Sequence, residues 1–272
     1  TSPHSLGVFI ISLAIVHAFL DVLPSIYLGA PDAGQELNVL PGHRMLLKGL
    51  GHQAVLCTLW GSLGALLLCV LLLPGFLWVM KRAAEPVQSV IGYVLILIVV
   101  YMVFREKKKW LKSLILFLLS GCLGLLVFTI SGLHQPLFPL LSGLFGCSIL
   151  LVSVWQKSRI PQQNFSAEIQ LSKKNGAKAM GAATGMGFLA GFLPGFGSSQ
   201  AAIIATEVVG DIKDEGFLAL VGGINTANML ISIGTAYAID KARNGAIVAV
   251  NDILGQIGFT EMMIFLAAAI AA

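Results

Sequence analysis

Residues 181–210 read GAATGMGFLAGFLPGFGSSQAAIIATEVVG, a small-residue apolar run that is cut by Pro194, Gly195, Phe196, Gly197, Ser198 and Ser199 and then resumes. Proline lacks a backbone donor and clashes with the preceding turn, and the two glycines admit conformations closed to other residues, so a helix is not expected to run through. The expectation is two half-helices meeting at a polar break. Backbone groups freed at membrane depth are tolerated only where they are buried in protein or line a wet cavity, and breaks of this kind hold substrates in transporters. Ser198 is expected to be the N-cap of a half-helix over 199–209, whose free N–H groups and positive dipole end form a site for an anion. The candidate substrate-binding residues here are Pro194, Gly195, Gly197, Ser198, Ser199 and Gln200. The competing reading is a packing helix with a kink, because the pairs Gly181/Gly185, Gly187/Gly191 and Gly191/Gly195 fit the spacing that lets membrane helices approach closely.

Working outward, 57% of the 272 residues are apolar and 11% charged, and the mean hydropathy is +0.88. Soluble domains carry about 25% charged residues, so a polytopic membrane protein is expected, all-α, with broken or re-entrant helices. The net charge of +4 is no nucleic-acid footprint, since the Lys and Arg residues lie between apolar runs and report topology. Cys57, Cys69, Cys122 and Cys147 sit singly in apolar runs without metal-ligand spacing. The chain opens at Thr1, and its first apolar run lacks a basic leader and a cleavage site, so no signal peptide is expected and the start reads as a cut within a longer protein.

Apolar runs over 6–28, 53–80, 87–104, 111–130, 137–155 and 217–239 are each long enough to be membrane segments, and 246–272 is a last one interrupted by polar residues. The first carries His17 and Asp21, four apart and therefore on one helix face. They suit a mutually satisfied pair or a site for a coupling cation or proton. Residues 29–53 are polar and turn-rich, with Asp32, Glu36, Arg44 and Lys48. In the run 217–239, Asn225, Thr226 and Asn228 need polar partners, which can be each other, neighbouring backbone, an ion or a substrate. Helix-to-helix hydrogen bonding is the bland alternative. If each run crosses once, Arg44 and Lys48, then 105–112, then 157–178 share one side, and Lys81, Arg82 and the 131–136 turn lie on the other. The basic side is then cytoplasmic in the cell membrane.

Within 217–237 and 9–28, Asn228 can be laid on Asp21, Ser232 on Ser25 and Ile233 on Ile26, which suggests an internal structural repeat. The expected divisions are a first-repeat remainder with scaffold helices over 1–155, a polar cytoplasmic linker over 156–176, and a second repeat with the broken-helix site over 177–272.

GFLPGFGSSQAAIIA at 191–205, GGINTANML at 222–230 and YLGAPDAGQELNVLPGHRMLLKG at 27–49 together resemble the large membrane subunit of tripartite tricarboxylate transporters, in the branch typical of archaea. The resemblance covers most of the chain. It implies secondary transport of a small organic anion driven by a cation or proton gradient, with a small membrane subunit and an extracytoplasmic binding protein as partners. The family has two proline-glycine motifs facing the substrate, and this chain carries only the one at 194–199. The resemblance therefore implies a fragment.

Two other classes compete with a transporter of small carboxylates embedded in the lipid bilayer. An intramembrane enzyme would use Ser198 or Ser199 as nucleophile and His17 or His134 as base. The break lacks the flanking pattern of a nucleophile elbow, His134 sits in a turn, and no spacing points to a metal, so no enzyme, cofactor or metal is expected. A non-transporting scaffold or assembly subunit would use every small-residue motif for packing.

Overall fold

The computed structural model describes residues 2–29, 35–105, 109–130, 140, 142–155, 161–165 and 171–272, and among them every regular element is a helix. The first helix, α1 (Pro3–Leu20), begins where the Ser2 side chain accepts from the Ser5 N–H and Pro3 fills the first position. Asp21 closes it, and α2 (Val22–Tyr27) continues. A 3-10 turn (Glu36–Asn38) leads into α3 (Val39–Leu46), followed by α4 (Gly51–Phe104), α5 (Trp110–Thr129) and the short α6 (Ser148–Trp155). Then come α7 (Lys173–Phe192), α8 (Ser198–Val209), α9 (Lys213–Ile239), α10 (Gly245–Leu254) and α11 (Phe259–Ala271). Pro3–Tyr27, Gly51–Val87, Trp110–Thr129 and Lys213–Ile239 are long and apolar enough to cross a membrane. The protein is an all-α polytopic membrane protein. Its last apolar stretch is two helices because Gly255, at φ +78°, ends α10.

The axis of the fold is α9. Within its most apolar window 83% of the residues are buried, whereas the corresponding window of α5 has none, so α9 is packed by protein and α5 is left to lipid. What lets α9 bury itself is small residues on three helices. A Cβ on Gly61 of α4 would overlap the Ala219 carbonyl oxygen, and one on Gly187 of α7 would overlap the Ala227 side chain. A Cβ on Gly223 would lie 2.7 Å from that of Ala183, and one on Gly191 2.8 Å from Ile231. Backbones therefore touch, as small-residue membrane packing requires. Gly181 and Gly185 behave differently, with no atom near an added Cβ.

These contacts also fix direction. Gly61 meets Ala219 while Leu73 and Leu77 meet Gly234, and Ala183, Gly187 and Gly191 meet residues 223, 227 and 231 in turn. Helices α4, α7 and α9 run parallel. Helix α8 runs the other way, from Ser198 beside Asn228 down to Val209 just before α9 begins, so α7 and α8 form a hairpin.

The separate runs 53–80 and 87–104 are one helically bonded element here. Lys81 and Arg82, expected between the two runs, continue the helix, as does Glu85, with Pro74 and Pro86 inside it. Straight, 54 residues would extend about 80 Å. The chain instead returns: Leu77 packs on Gly234, Leu95 packs on Gly195 and Arg105 pairs with Glu207 of α8. Two limbs, Gly51–Val87 and Ser89–Phe104, join at a sharp bend beside Pro86, which lacks the N–H that would hold the helix straight. Lys81 lies over the Tyr237 ring at 4.8 Å and Arg82 over Trp78 at 4.7 Å, so both cations stay at that bend.

Arg44, which pairs with Asp214 at 2.8 Å, Arg105 and Lys173 consequently share the end at which α4, α7 and α9 begin. Lys107, Lys108, the 131–136 turn with His134, and 156–160 and 166–170 of the linker lie outside the described residues. Within the linker, Gln163 accepts from the Gly51 N–H at 2.8 Å and donates to the Leu46 carbonyl at 3.1 Å, docking that stretch on the α3–α4 turn.

Gly61→Ala is expected to lower the melting temperature in detergent, at a cost of about 1–3 kcal/mol for overpacking a backbone contact, while Gly75→Ala, which meets nothing, leaves it unchanged. Equal melting of the two variants would contradict the packing. In a cysteine-free background, cysteines at 48 and 174 should react with an impermeant reagent from one membrane face and a cysteine at 82 from the other. Reaction of 48 and 174 from opposite faces would overturn the parallel arrangement.

Candidate functional site

Asp21 sits at the junction of α1 and α2 and is 6% exposed. A buried carboxylate must be satisfied by donors, and two amides do so. Gln35 Nε2 donates to Oδ1 at 2.8 Å and Asn225 Nδ2 donates to Oδ2 at 3.0 Å. Gln35 is held in turn by Asn38, whose side-chain amide donates to Gln35 Oε1. The network joins the 35–38 turn, α1 and α9 in the middle of the protein.

Beside it lies a cavity of about 800 Å³. One wall is α1, through Ile10, Leu13, Ala14, His17, Ala18 and Asp21, and a second is α9, through Asn225, Asn228 and Met229. The third wall is Asn244, Gly245 and Ala246, the first turn of α10. Asn244 caps α10 by accepting from the Ile247 N–H at 2.9 Å, which leaves the N–H groups of Gly245 and Ala246 without helical partners at the cavity edge. Carboxylate, imidazole, three carboxamides and a helix N-terminus thus converge on one space. That combination suits a small polar or anionic ligand with an accompanying cation.

The interruption at 193–197 is built differently from the sequence expectation. Gly195 takes φ +77°, open to glycine and strained for other residues. Gly197 is the N-cap of α8, and its N–H donates to Gln200 Oε1 at 3.1 Å, so Ser198 is the first helical residue and not the cap. The long glutamine side chain reaches back to the turn and takes the capping role. Ser198 Oγ accepts from Asn228 Nδ2 at 3.2 Å, and Ser199 Oγ donates to Glu36 Oε2 at 2.6 Å. Behind the break, Arg243 Nη2 donates to the Phe192 carbonyl at 2.8 Å, capping the C-terminus of α7 where a cation also meets the negative dipole end. Burial lowers the Arg243 pKa from its ordinary value.

The structure divides the residues singled out from the sequence. His17, Asp21, Asn225 and Asn228 line the large cavity, and Ser198 is one hydrogen bond behind Asn228. Gly195 and Gln200 face a second, mostly apolar cavity of about 390 Å³ against α5 and the returning limb of α4. Pro194 and Gly197 are half-buried in the turn itself. Thr226 is fully buried, and its hydroxyl has no hydrogen-bond partner among the described residues. A residue beside Asn225 on a helix projects about 100° away, into the packing against other helices.

The sequence reading passed over Gln35, Asn244, Gly245 and Ala246, and gave Glu36 no role. An Asn followed by an apolar run was a legible N-cap signal at Asn244. Nothing local marks Gln35 or Glu36, whose importance comes from what they reach. Ser25 donates to the Asp21 carbonyl at 3.1 Å and Ser232 to the Asn228 carbonyl at 2.7 Å, the same i−4 bond that Thr58, Thr184 and Thr235 make, so it does not distinguish the two positions laid on each other.

Comparison with known proteins gives a family and a relative. The model of the Tripartite tricarboxylate transporter TctA family matches residues 1–272. A protein of Methanocaldococcus jannaschii, described as uncharacterized, is 28% identical over 248 residues, which is 89% of this chain and 61% of that relative. The chain thus spans less than two thirds of that relative's length. No solved structure matches.

Asn225→Ala removes an amide donor from a buried carboxylate and should lower stability by about 1.5–3 kcal/mol, the contribution of a hydrogen bond to a charged group. Denaturant or thermal unfolding in detergent measures this. A silent Asn225→Ala would mean that the carboxylate does not depend on that amide.

Proposed function

The chain belongs to the tripartite tricarboxylate transporter TctA family, and on that premise we propose that it binds a small carboxylate in the cavity between α1, α9 and α10 during secondary active transport. The observation that carries the reading is the meeting, in about 800 Å³, of Asp21 with Asn225, Asn228 and the first turn of α10. The volume falls in the ~300–1,000 Å³ range of small-molecule sites. The amides of Asn225 and Asn228 and the N–H groups of Gly245 and Ala246 supply donors, and Ser198 steadies Asn228 from the α8 side.

Asp21 supplies the argument for coupling. Two like charges about 5 Å apart at an effective dielectric near 20 repel by about 3 kcal/mol. A carboxylate entering beside Asp21 is therefore favoured when a cation or proton enters with it, and His17 on the same wall is the second candidate for that role. Linkage of this kind makes a gradient in one species drive the other. The basic end carrying Arg44, Arg105 and Lys173 faces the cytoplasm in this reading, and the protein sits in the cell membrane. A small membrane subunit and an extracytoplasmic binding protein complete the system. The scaffold reading finds its best support in Gly187 and Gly191, which pack against α9.

Citrate uptake into proteoliposomes containing the full-length protein, with citrate binding measured on the same preparation, tests the proposal. Asn228→Ala should raise the citrate dissociation constant about ten- to hundredfold, the loss of one charge-assisted hydrogen bond. Asp21→Asn should abolish gradient-driven uptake while retaining protection of the protein by citrate. Unchanged uptake in both variants, or no carboxylate bound by the wild type across a panel, would favour the scaffold.

A further inference from the structure

The mostly apolar cavity of about 390 Å³ lies on the other side of the α7–α8 break from Asn228 and shares no residue with the large polar one. Its floor is Gly195, Phe196 and Gln200, and a Cβ on Gly195 would lie 2.9 Å from Leu95 of the returning α4 limb. That limb forms one wall up to Val103, and α5 forms the other through Ser113, Leu116, Phe117 and Ser120. From Ser113 to Ser120 the lining extends about 10 Å along α5. One leaflet of hydrocarbon is ~15 Å deep, so the crevice has the length of the upper part of a single acyl chain. Lipid can reach it. Leu116, Phe117 and Ser120 are exposed, and no residue in the most apolar window of α5 is buried.

The limb ends at the basic end of the protein, where Arg105 pairs with Glu207, so Val103 and Ser113 stand at the mouth of the crevice and Leu95 and Ser120 stand deep. Positive charge is available only at the mouth. Lys109 lies one helical hydrogen bond before Ser113, and Lys112 lies four residues before Leu116, so both lysines continue the helix face that lines the crevice. Both are exposed, and among the described residues neither is ion-paired. Beside them Trp110 stacks on Phe104 with ring centroids 5.5 Å apart, an amphipathic ring of the kind that marks the headgroup level.

We propose that this crevice binds an anionic phospholipid: one acyl chain lies between α5 and the returning limb of α4, reaching Gly195 and Phe196, and the headgroup phosphate pairs with Lys109 and Lys112. Apolar walls without the lysines would take any lipid, and lysines without the walls would hold only a diffuse layer of anionic headgroups. Together they select one class of lipid at one place. A chain seated there packs on the face of the break opposite Ser198, which holds Asn228. The site does not depend on which ligand the large cavity takes.

Delipidated full-length protein in detergent, titrated with phosphatidylglycerol or with phosphatidylcholine of the same acyl chains and read by native mass spectrometry, tests the site. The wild type should retain one phosphatidylglycerol in preference to phosphatidylcholine. Lys109→Gln and Lys112→Gln should each weaken phosphatidylglycerol about fivefold, the share of one basic residue at an anionic surface, and leave phosphatidylcholine unchanged. Lys173→Gln with Lys174→Gln, at the same end of the protein but outside the crevice, should change neither. Ser120→Trp, which puts a large side chain into the deep part of the crevice from an exposed position, should reduce retention of both lipids. Equal affinity for the two lipids in the wild type, or a loss of preference as large in the Lys173/Lys174 variant as in Lys109→Gln, would overturn the headgroup site. Full retention of phosphatidylglycerol by Ser120→Trp would overturn the seat of the acyl chain.

Discussion

Backbone contact between helices is the constraint from which the rest follows. Where Gly61 meets Ala219 and Gly187 meets Ala227, no side chain larger than hydrogen fits on the glycine, and α4, α7 and α9 are drawn into a parallel group with α9 inside it. In lipid there is no hydrophobic drive to press helices together, so close approach and the dispersion contacts that it brings have to do this work. With α9 fixed in depth, Asn225 and Asn228 are fixed too. The position of the polar cavity is set by glycines one or more turns away from it.

A second constraint acts within that frame. Asp21 is almost fully buried, and a carboxylate in that position is tolerated only with donors on both oxygens. Asn225 on α9 and Gln35 in the turn before α3 both donate to it, so satisfying one side chain ties the early segment of the chain to the late one. The same requirement explains why the polar atoms gather here. Apart from His17, the rest of α1 presents apolar residues to the cavity, and the α9 wall closes with Met229.

The interruption between α7 and α8 has two unlike faces. Toward α9 and the 35–38 turn it offers Ser198 and Ser199, each already hydrogen-bonded. Toward α5 and the returning limb of α4 it offers Gly195, Phe196 and Gln200 to a mostly apolar space. Its ends are closed by Gln200, which caps α8, and by Arg243, which caps α7.

Composition and periodicity determined the class of molecule, because the cost of burying unpaired backbone in lipid leaves helices as the economical way to write so apolar a chain. The same physics made Pro194 and Gly195 readable as the place where a helix stops, and made Asp21, Asn225 and Asn228 stand out, since polar groups in apolar runs need partners. Who those partners are was not in the sequence. A hydrogen bond such as Gln35 to Asp21, or Glu36 to Ser199, depends on distances set by how α1, α8 and α9 pack, and no local propensity encodes them. The bend of α4 at Pro86 follows the same rule. Helical bonding persists through Lys81, Arg82 and Glu85, with Lys81 resting on Tyr237 and Arg82 on Trp78. Only the packed structure could decide that Ser198 faces Asn228 while Thr226 turns into the core, since a step of about 100° along a helix changes what a residue meets and the meeting surface belongs to another part of the chain.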